Sequence, residues 1–388
     1  MTEAPLSWSF KPNKAPYYIN TVALSAGGEK VITGTFFHQY SRRKASKPAV
    51  SEKLGSYCLD ASGALLWKDE FTNYEGVYWA AITPAADFAA TCGWYSNNPY
   101  QGFVFIYDAN TGQRLVSYTD TPHRVSVCAF SGSANVLAAA GSSVMVFRQS
   151  GASYESEPLV VDLPASSPSD PDSAQGLAID VTGRWIAVGT YQGNIHLIDT
   201  ADGKATIVAS YNSGESVHAV SMDWGGSTFI AGASGGHLYH FTTEDFLSTS
   251  QPDWRVLLSS GGICAESVYG VALSEDGSTA TAVGNIGQGG QLGLLKINSD
   301  GGQWQWFSAT AHNPNSTSMT GSGNFLTVAD GHPDGTPGEF YYYSAESNTP
   351  LWTYPTSNMS WPMQIASGGQ AAVAGSDDGH VYYFAPLS

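Results

Sequence analysis

The sequence predicts an all-β protein, a single eight-bladed β-propeller of four-stranded blades. Three observations predict it. A strand–turn–strand phrase recurs eight times along the 388 residues. The recurrence closes on itself when the chain ends are joined. Helical periodicity is nearly absent. A seven-bladed ring is the alternative count.

The phrase opens with a short apolar strand and passes a Gly-rich turn into a second strand. Its first four residues are Val22-Ala-Leu-Ser, Ala80-Ala-Ile-Thr, Cys128-Ala-Phe-Ser, Leu177-Ala-Ile-Asp, Val220-Ser-Met-Asp, Val271-Ala-Leu-Ser, Thr317-Ser-Met-Thr and Gln364-Ile-Ala-Ser. The starts are separated by 58, 48, 49, 43, 51, 46 and 47 residues, and wrapping from Gln364 through the end to Val22 gives 46. A ring requires that last ordinary interval; an open solenoid does not.

A third strand follows in each repeat, as in Gly102-Phe-Val-Phe-Ile-Tyr-Asp108, Gly193-Asn-Ile-His-Leu-Ile-Asp199 and Gly379-His-Val-Tyr-Tyr-Phe384. A fourth often ends in tryptophan, as at Trp67, Trp306 and Trp352. Four strands at this period make a propeller blade. Turn dipeptides such as Asp276-Gly, Thr182-Gly and Asp202-Gly join them as hairpins. The last repeat lacks its fourth strand, and Leu6-Ser-Trp-Ser-Phe10 carries the missing pattern. Residues 1–10 are therefore expected as the outer strand of the last blade, within one domain spanning 1–388. Residues 36–54 are a long insertion in the first.

The segments Asp60-Ala-Ser-Gly-Ala-Leu-Leu-Trp67 and Asp108-Ala-Asn-Thr-Gly-Gln-Arg-Leu resemble the blade motif of eight-bladed quinoprotein-like propellers. The chain is similar also to WD40-like and YVTN-type repeats. The resemblance implies a fold, and fold alone does not give function. Quinoprotein dehydrogenases place a vicinal cysteine pair and a calcium site at their cofactor. This chain has no vicinal cysteines, which argues against pyrroloquinoline quinone.

Composition narrows the function classes. Charged residues make up 13% of the chain, about half the globular average of roughly a quarter. Net charge is −17, which disfavours nucleic acid or an anionic membrane as partner. No apolar run approaches the roughly 20 residues of a spanning helix. Met1-Thr-Glu-Ala opens without a basic stretch and apolar core, so no signal peptide is expected in this chain. Low charge with abundant Gly, Ser, Thr, Asn and Tyr leans toward a periplasmic or secreted setting. Cys58, Cys92, Cys128 and Cys264 form no CxxC pair and read as buried single thiols. A monomer is expected.

Aligning the first strands gives rings of equivalent positions. Five residues before each start stand Tyr17, Glu75, His123, Asp172, Glu215, Glu266, His312 and Met359. Two before stand Asn20, Tyr78, Ser126, Gln175, His218, Tyr269, Asn315 and Pro362. Converging on one axis, Glu75, His123, Asp172, Glu215, Glu266 and His312 would suit a divalent cation. Glu75, Glu215, Glu266, His123, His218 and His312 are the candidate acids and bases of an enzyme. Tyr17, Asn20, Tyr78, Trp94, Tyr95, Asp172, Gln175, Tyr269 and Asn315 are candidate contacts to a polar or cationic ligand. The plainer reading is that the carboxylates are solvated rim groups or caps of backbone turns.

Loops between second and third strands add to this face. The Gly93–Gly102 segment carries Trp94, Tyr95, Asn97, Asn98 and Tyr100, and the Asp330–Gly338 segment carries His332 and Asp334. The first insertion holds Arg42, Arg43, Lys44, Lys47 and Lys53, five of the 16 basic residues, and reads as a lid, an anion grip or a solvated loop. His237 and His380 open third strands and read as hairpin residues; His196 reads as a wall residue. Gly232-Ala-Ser-Gly-Gly236 matches GxSxG, but a strand follows where a nucleophile elbow needs a helix. The Gly284–Gly290 stretch opens no helix and so lacks an amide-lined phosphate cradle. The expected function is a ligand-binding or interaction propeller with a small molecule or protein as partner. A lyase, hydrolase or isomerase using the Glu and His residues, with or without a metal, is the alternative, and a quinoprotein-like oxidoreductase the second.

Overall fold

The computed structural model describes residues 2–12, 17–37, 53–72, 74–95, 101–121, 123–165, 171–287, 289–332 and 336–387. Arg42, Arg43, Lys44, Lys47, Asn97, Asn98, Tyr100 and Asp334 lie outside them.

The protein is built almost wholly of antiparallel strands. Hydrogen bonds assemble them into four-stranded groups. Each starts from an innermost strand: Tyr18–Leu24, Tyr74–Ile82, Val127–Phe130, Ala174–Ile179, Val217–Met222, Ser267–Leu273, Pro314–Met319 and Ser360–Ile365. One pairing, Phe36 with Gly76, joins the first two groups into one sheet. In the group of Ser360–Ile365 the outer strand comes from the other end of the chain. Leu6–Phe10 pairs with Val381–Phe384 in the register Phe10 to Val381. Each innermost strand packs on the next, and Ser360–Ile365 returns to Tyr18–Leu24, so the circuit closes.

A local device makes seven of the first hairpins; in the last, Ala366 holds the equivalent place with backbone bonds alone. The fourth residue of the phrase is Ser25, Thr83, Ser131, Asp180, Asp223, Ser274 or Thr320, all buried. Its side-chain oxygen accepts the backbone N–H five residues on, as from Lys30 at 3.1 Å, Trp185 at 2.9 Å and Phe325 at 3.1 Å. The turn also needs a left-handed residue, met by Gly183 at φ 76° and Gly323 at φ 71°. The backbone bonds of this turn correct one alignment. In the last repeat the turn runs from Ala366 to Gly369, and Met363 pairs with Ala374 as Thr317 pairs with Val328. That start is therefore Met363, not Gln364. Asn358 and Trp361 replace Met359 and Pro362 in the two rings.

The core lies between neighbouring groups. Val104, Cys128, Leu137 and Phe147 share one cluster, and Ile19, Val31, Val373 and Val381 share another where last meets first. Each such buried side chain contributes about 1.5–3 kcal/mol. Innermost strands are also stapled through side chains. Thr21 Oγ1 accepts the Ala80 N–H at 2.8 Å, Ser316 Oγ that of Met363 at 3.1 Å and Ser318 Oγ that of Ile365 at 2.8 Å. A short helix, Thr243–Thr249, packs Phe246 against Phe241. Cys58, Cys92 and Cys128 are buried free thiols; Cys264, expected buried, is exposed because it sits in the outlying hairpin Ser259–Cys264.

Candidate functional site: a ring of bulges

The leading ends of the innermost strands carry a repeated irregularity. Pairing with the second strand skips a residue between Val77 and Trp79, Ala174 and Gly176, Val217 and Ala219, Val268 and Gly270, and Pro314 and Ser316. Between Tyr18 and Thr21 and between Ser360 and Met363 two are skipped. The passed-over positions hold Asn20, Tyr78, Gln175, His218, Tyr269, Asn315 and Trp361. Ser126 stands at the same place just before its strand. A bulge frees a residue from the ladder and re-aims its side chain. All eight are at least partly exposed, with Gln175 and Tyr269 the most open.

Contacts run around this ring. Asn20 Nδ2 donates to Tyr78 O at 3.1 Å, Ser126 Oγ to Ala174 O at 2.9 Å and Asn315 Nδ2 to Ser360 O at 2.7 Å. The rings of His218 and Tyr269 lie 5.3 Å apart, and His218 Nε2 meets Ser234 Oγ at 3.0 Å. Burial holds His218 below its ordinary pKa, so the imidazole is neutral at pH 7. Tyr78 packs on Trp94 at 4.7 Å and on Phe36 at 5.4 Å, and Arg124 stacks over Trp94 at 4.7 Å. Burial raises the Tyr78 pKa, which the Arg124 charge partly offsets. Tyr95 closes the strand Phe88–Tyr95 beside Trp94.

The second ring behaves differently. Glu75 is buried and accepts the Trp94 indole N–H at 2.6 Å. Asp172 is buried and accepts from Ser173 N, Gln192 N and Asn194 Nδ2 at 2.8–3.0 Å. Glu215 takes His237 Nδ1 at 2.9 Å, and exposed Glu266 takes Asn285 Nδ2 at 2.9 Å. The His312 backbone N–H caps buried Asp330 at 3.0 Å. Tyr341 and Glu339 N also bond Asp330, yet burial still raises its pKa. His123 is exposed, while Tyr17 is buried edge-on to Phe37. Each carboxylate thus satisfies donors of its own four-stranded group. Among the described residues no three His, Cys, Asp or Glu side chains come together to hold a metal, so the six-residue cation set is not assembled.

His380 bonds Asp378, His237 bonds Glu215, and His196 bonds Ser210 Oγ at 2.7 Å inside a sheet. Sequence reasoning missed Trp361, hidden by the one-residue slip, and Tyr191. The latter is 63% exposed in the loop after Trp185–Thr190, and Ser216 Oγ donates to its carbonyl at 2.6 Å. In the last repeat Ala366 takes the place of the turn Ser, Thr or Asp, and Ser367 one residue later mimics it, so the slip was not visible in the sequence.

The architecture has a solved counterpart. The chain is similar in structure to Sqt1 of Chaetomium thermophilum, a WD40 β-propeller solved bound to the N-terminus of the ribosomal protein L10. The TM-score is 0.72 over 99% of this chain and 100% of that one, at 14% sequence identity. The chain has a WD40-like propeller fold. No family model matches the sequence, and no curated protein sequence matches it at a significant level.

Proposed function

We propose that this protein is an interaction propeller whose leading mouth holds a segment of a partner protein. In this reading the four-stranded groups are eight blades of one domain, and the bulge residues are its contact ring. The observation that carries it is the ring itself. Seven equivalent positions are released from the ladder, and with Ser126 they present Asn, Tyr, Ser, Gln, His, Tyr, Asn and Trp at one end of the innermost strands. Such amide and aromatic side chains supply hydrogen bonds and contact area at low entropic cost. The structural neighbour's partner, a protein N-terminus, supports the same class of ligand. The net charge of −17 favours a basic segment, whose encounter it accelerates.

The test is an array of peptides of graded net charge, read by fluorescence anisotropy against the intact protein and two variants. Basic peptides should bind more tightly at low salt. Tyr269→Ala and Trp361→Ala, folded by circular dichroism, should each weaken binding by about tenfold. An array with no binder, or variants that bind as the parent does, would overturn the reading.

A further inference from the structure

The trailing ends of the innermost strands form a second, different mouth. A cavity of about 320 Å³ lies there, at the lower end of the roughly 300–1,000 Å³ of small-molecule sites. Its wall includes equivalent apolar side chains two residues into six of the phrases: Leu24, Ile82, Ile179, Met222, Leu273 and Met319. All six are half-buried, and the residue that follows each one along the chain is buried. The apolar surface therefore faces the cavity.

Two residues further on, backbone hydrogen bonds link five positions along the rim. Val181 N donates to Trp224 O, Trp224 N to Glu275 O, Glu275 N to Gly321 O and Gly321 N to Ser367 O, at 2.9–3.0 Å. From this rim two side chains cross to other groups. The Trp224 ring lies on Gly132, where a Cβ would come within 2.5 Å of it. The Glu275 carboxyl lies on Gly321, where a Cβ would come within 2.4 Å. It continues to Ser367, whose Oγ donates to Oε1 at 2.6 Å. Glycine at two equivalent rim positions leaves room for an indole and a carboxylate over one opening. Trp224 is 44% exposed, and Glu275 is exposed. Among the described residues the lining holds two carboxylates, Asp223 and Glu275, and no lysine or arginine.

We infer that the trailing mouth binds a primary ammonium group carried on an unbranched aliphatic stem. The stem lies on the apolar wall, and the ammonium meets the Glu275 carboxylate beside the Trp224 π-face. Either a free alkylamine or a lysine side chain of another protein presents this chemistry. An anionic head would meet the Glu275 carboxylate, and a neutral one would forgo the contacts to Glu275 and the Trp224 π-face. This site is at the opposite end of the innermost strands from the bulge ring and is independent of the function proposed for it.

Calorimetric titration of the intact protein with n-hexylammonium chloride tests the inference, with n-hexanol and sodium hexanoate as matched stems. A doubly capped pentapeptide with a single central lysine is a fourth arm, and it separates a protein source from a free amine. The ammonium should bind about tenfold more tightly than the alcohol, and the carboxylate not at all. Glu275→Gln should weaken the ammonium by about tenfold and leave the alcohol unchanged. Met319→Trp should block every stem, and a thermal melt shows whether that variant is folded. Equal binding of ammonium and alcohol, or Glu275→Gln binding as the parent does, overturns the inference. So does the absence of saturation by both the ammonium and the lysine peptide.

Discussion

Trp94 hands its indole N–H to Glu75 Oε2 at 2.6 Å, and both residues are buried. The other carboxylate oxygen, Oε1, is buried and has no partner among the described residues. This pair ties the approach to one innermost strand to the strand beside it, directly behind Tyr78.

Trp94→Phe keeps the aromatic packing on Tyr78 and Phe36 but removes the donor. Glu75 is then left buried and undonated, at a cost of about 2–3 kcal/mol. Urea unfolding should show the midpoint falling with the slope unchanged. The double variant Trp94→Phe with Glu75→Gln should recover part of the loss, and additivity of the two changes would show that the pair is not coupled.

Thr21→Val is nearly isosteric, yet it strips the acceptor of the Ala80 N–H between two innermost strands. A buried amide left unpaired costs about 1–3 kcal/mol. Slowed hydrogen exchange at Ala80 in the parent, lost in the variant, would locate the effect. An unchanged exchange rate would show that the staple is not needed.

Trp8 stacks on Tyr383 at 5.0 Å with an interplanar angle of 1° and donates to Ala61 O at 2.9 Å. A chain lacking residues 1–10 loses this stack and bares the edge of Val381–Phe384. Its thermal midpoint should fall by more than about 5 °C, and Trp8→Ala alone should cost about 1–2 kcal/mol. A truncated chain melting with the parent would refute the closure.

Burial holds His196, His218 and His240 below the ordinary value of 6.5; for His240 the Asp253 carboxylate at 2.9 Å opposes the shift. The unfolded chain takes up protons on these rings near pH 6.5, and the folded chain does so only at lower pH. Their stabilising effect is thus complete above about pH 6.5 and is lost as pH falls from there through the folded-state values. The thermal midpoint should drop between about pH 7.5 and 5.5, and His218→Gln should flatten the slope. A midpoint that is level or rises across that interval contradicts this assignment.

The sequence by itself determined the strands, their hairpins and their repetition. These depend on residues within about ten positions of each other. An apolar run makes the strand, and a Ser, Thr or Asp with a following Gly makes the turn, as at Asp180 and Gly183. The positions two before each start were legible as a ring for the same reason. Their exposure was not, because a bulge exists only in the register between two strands. Trp361 was lost to a single-residue slip that Met363 pairing with Ala374 reveals.

Tertiary structure alone decided what the carboxylates do. Equivalent spacing put Glu75, Asp172, Glu215 and Glu266 in one register, but each found its donor close by: Trp94, Asn194, His237 and Asn285. For buried Glu75 and Asp172 an unmet hydrogen bond is costly, so each takes the nearest good donor. Only the closed circuit of strands could bring Trp224 over Gly132 and Glu275 to Ser367, since those pairs lie in different repeats and meet through packing that no local pattern encodes.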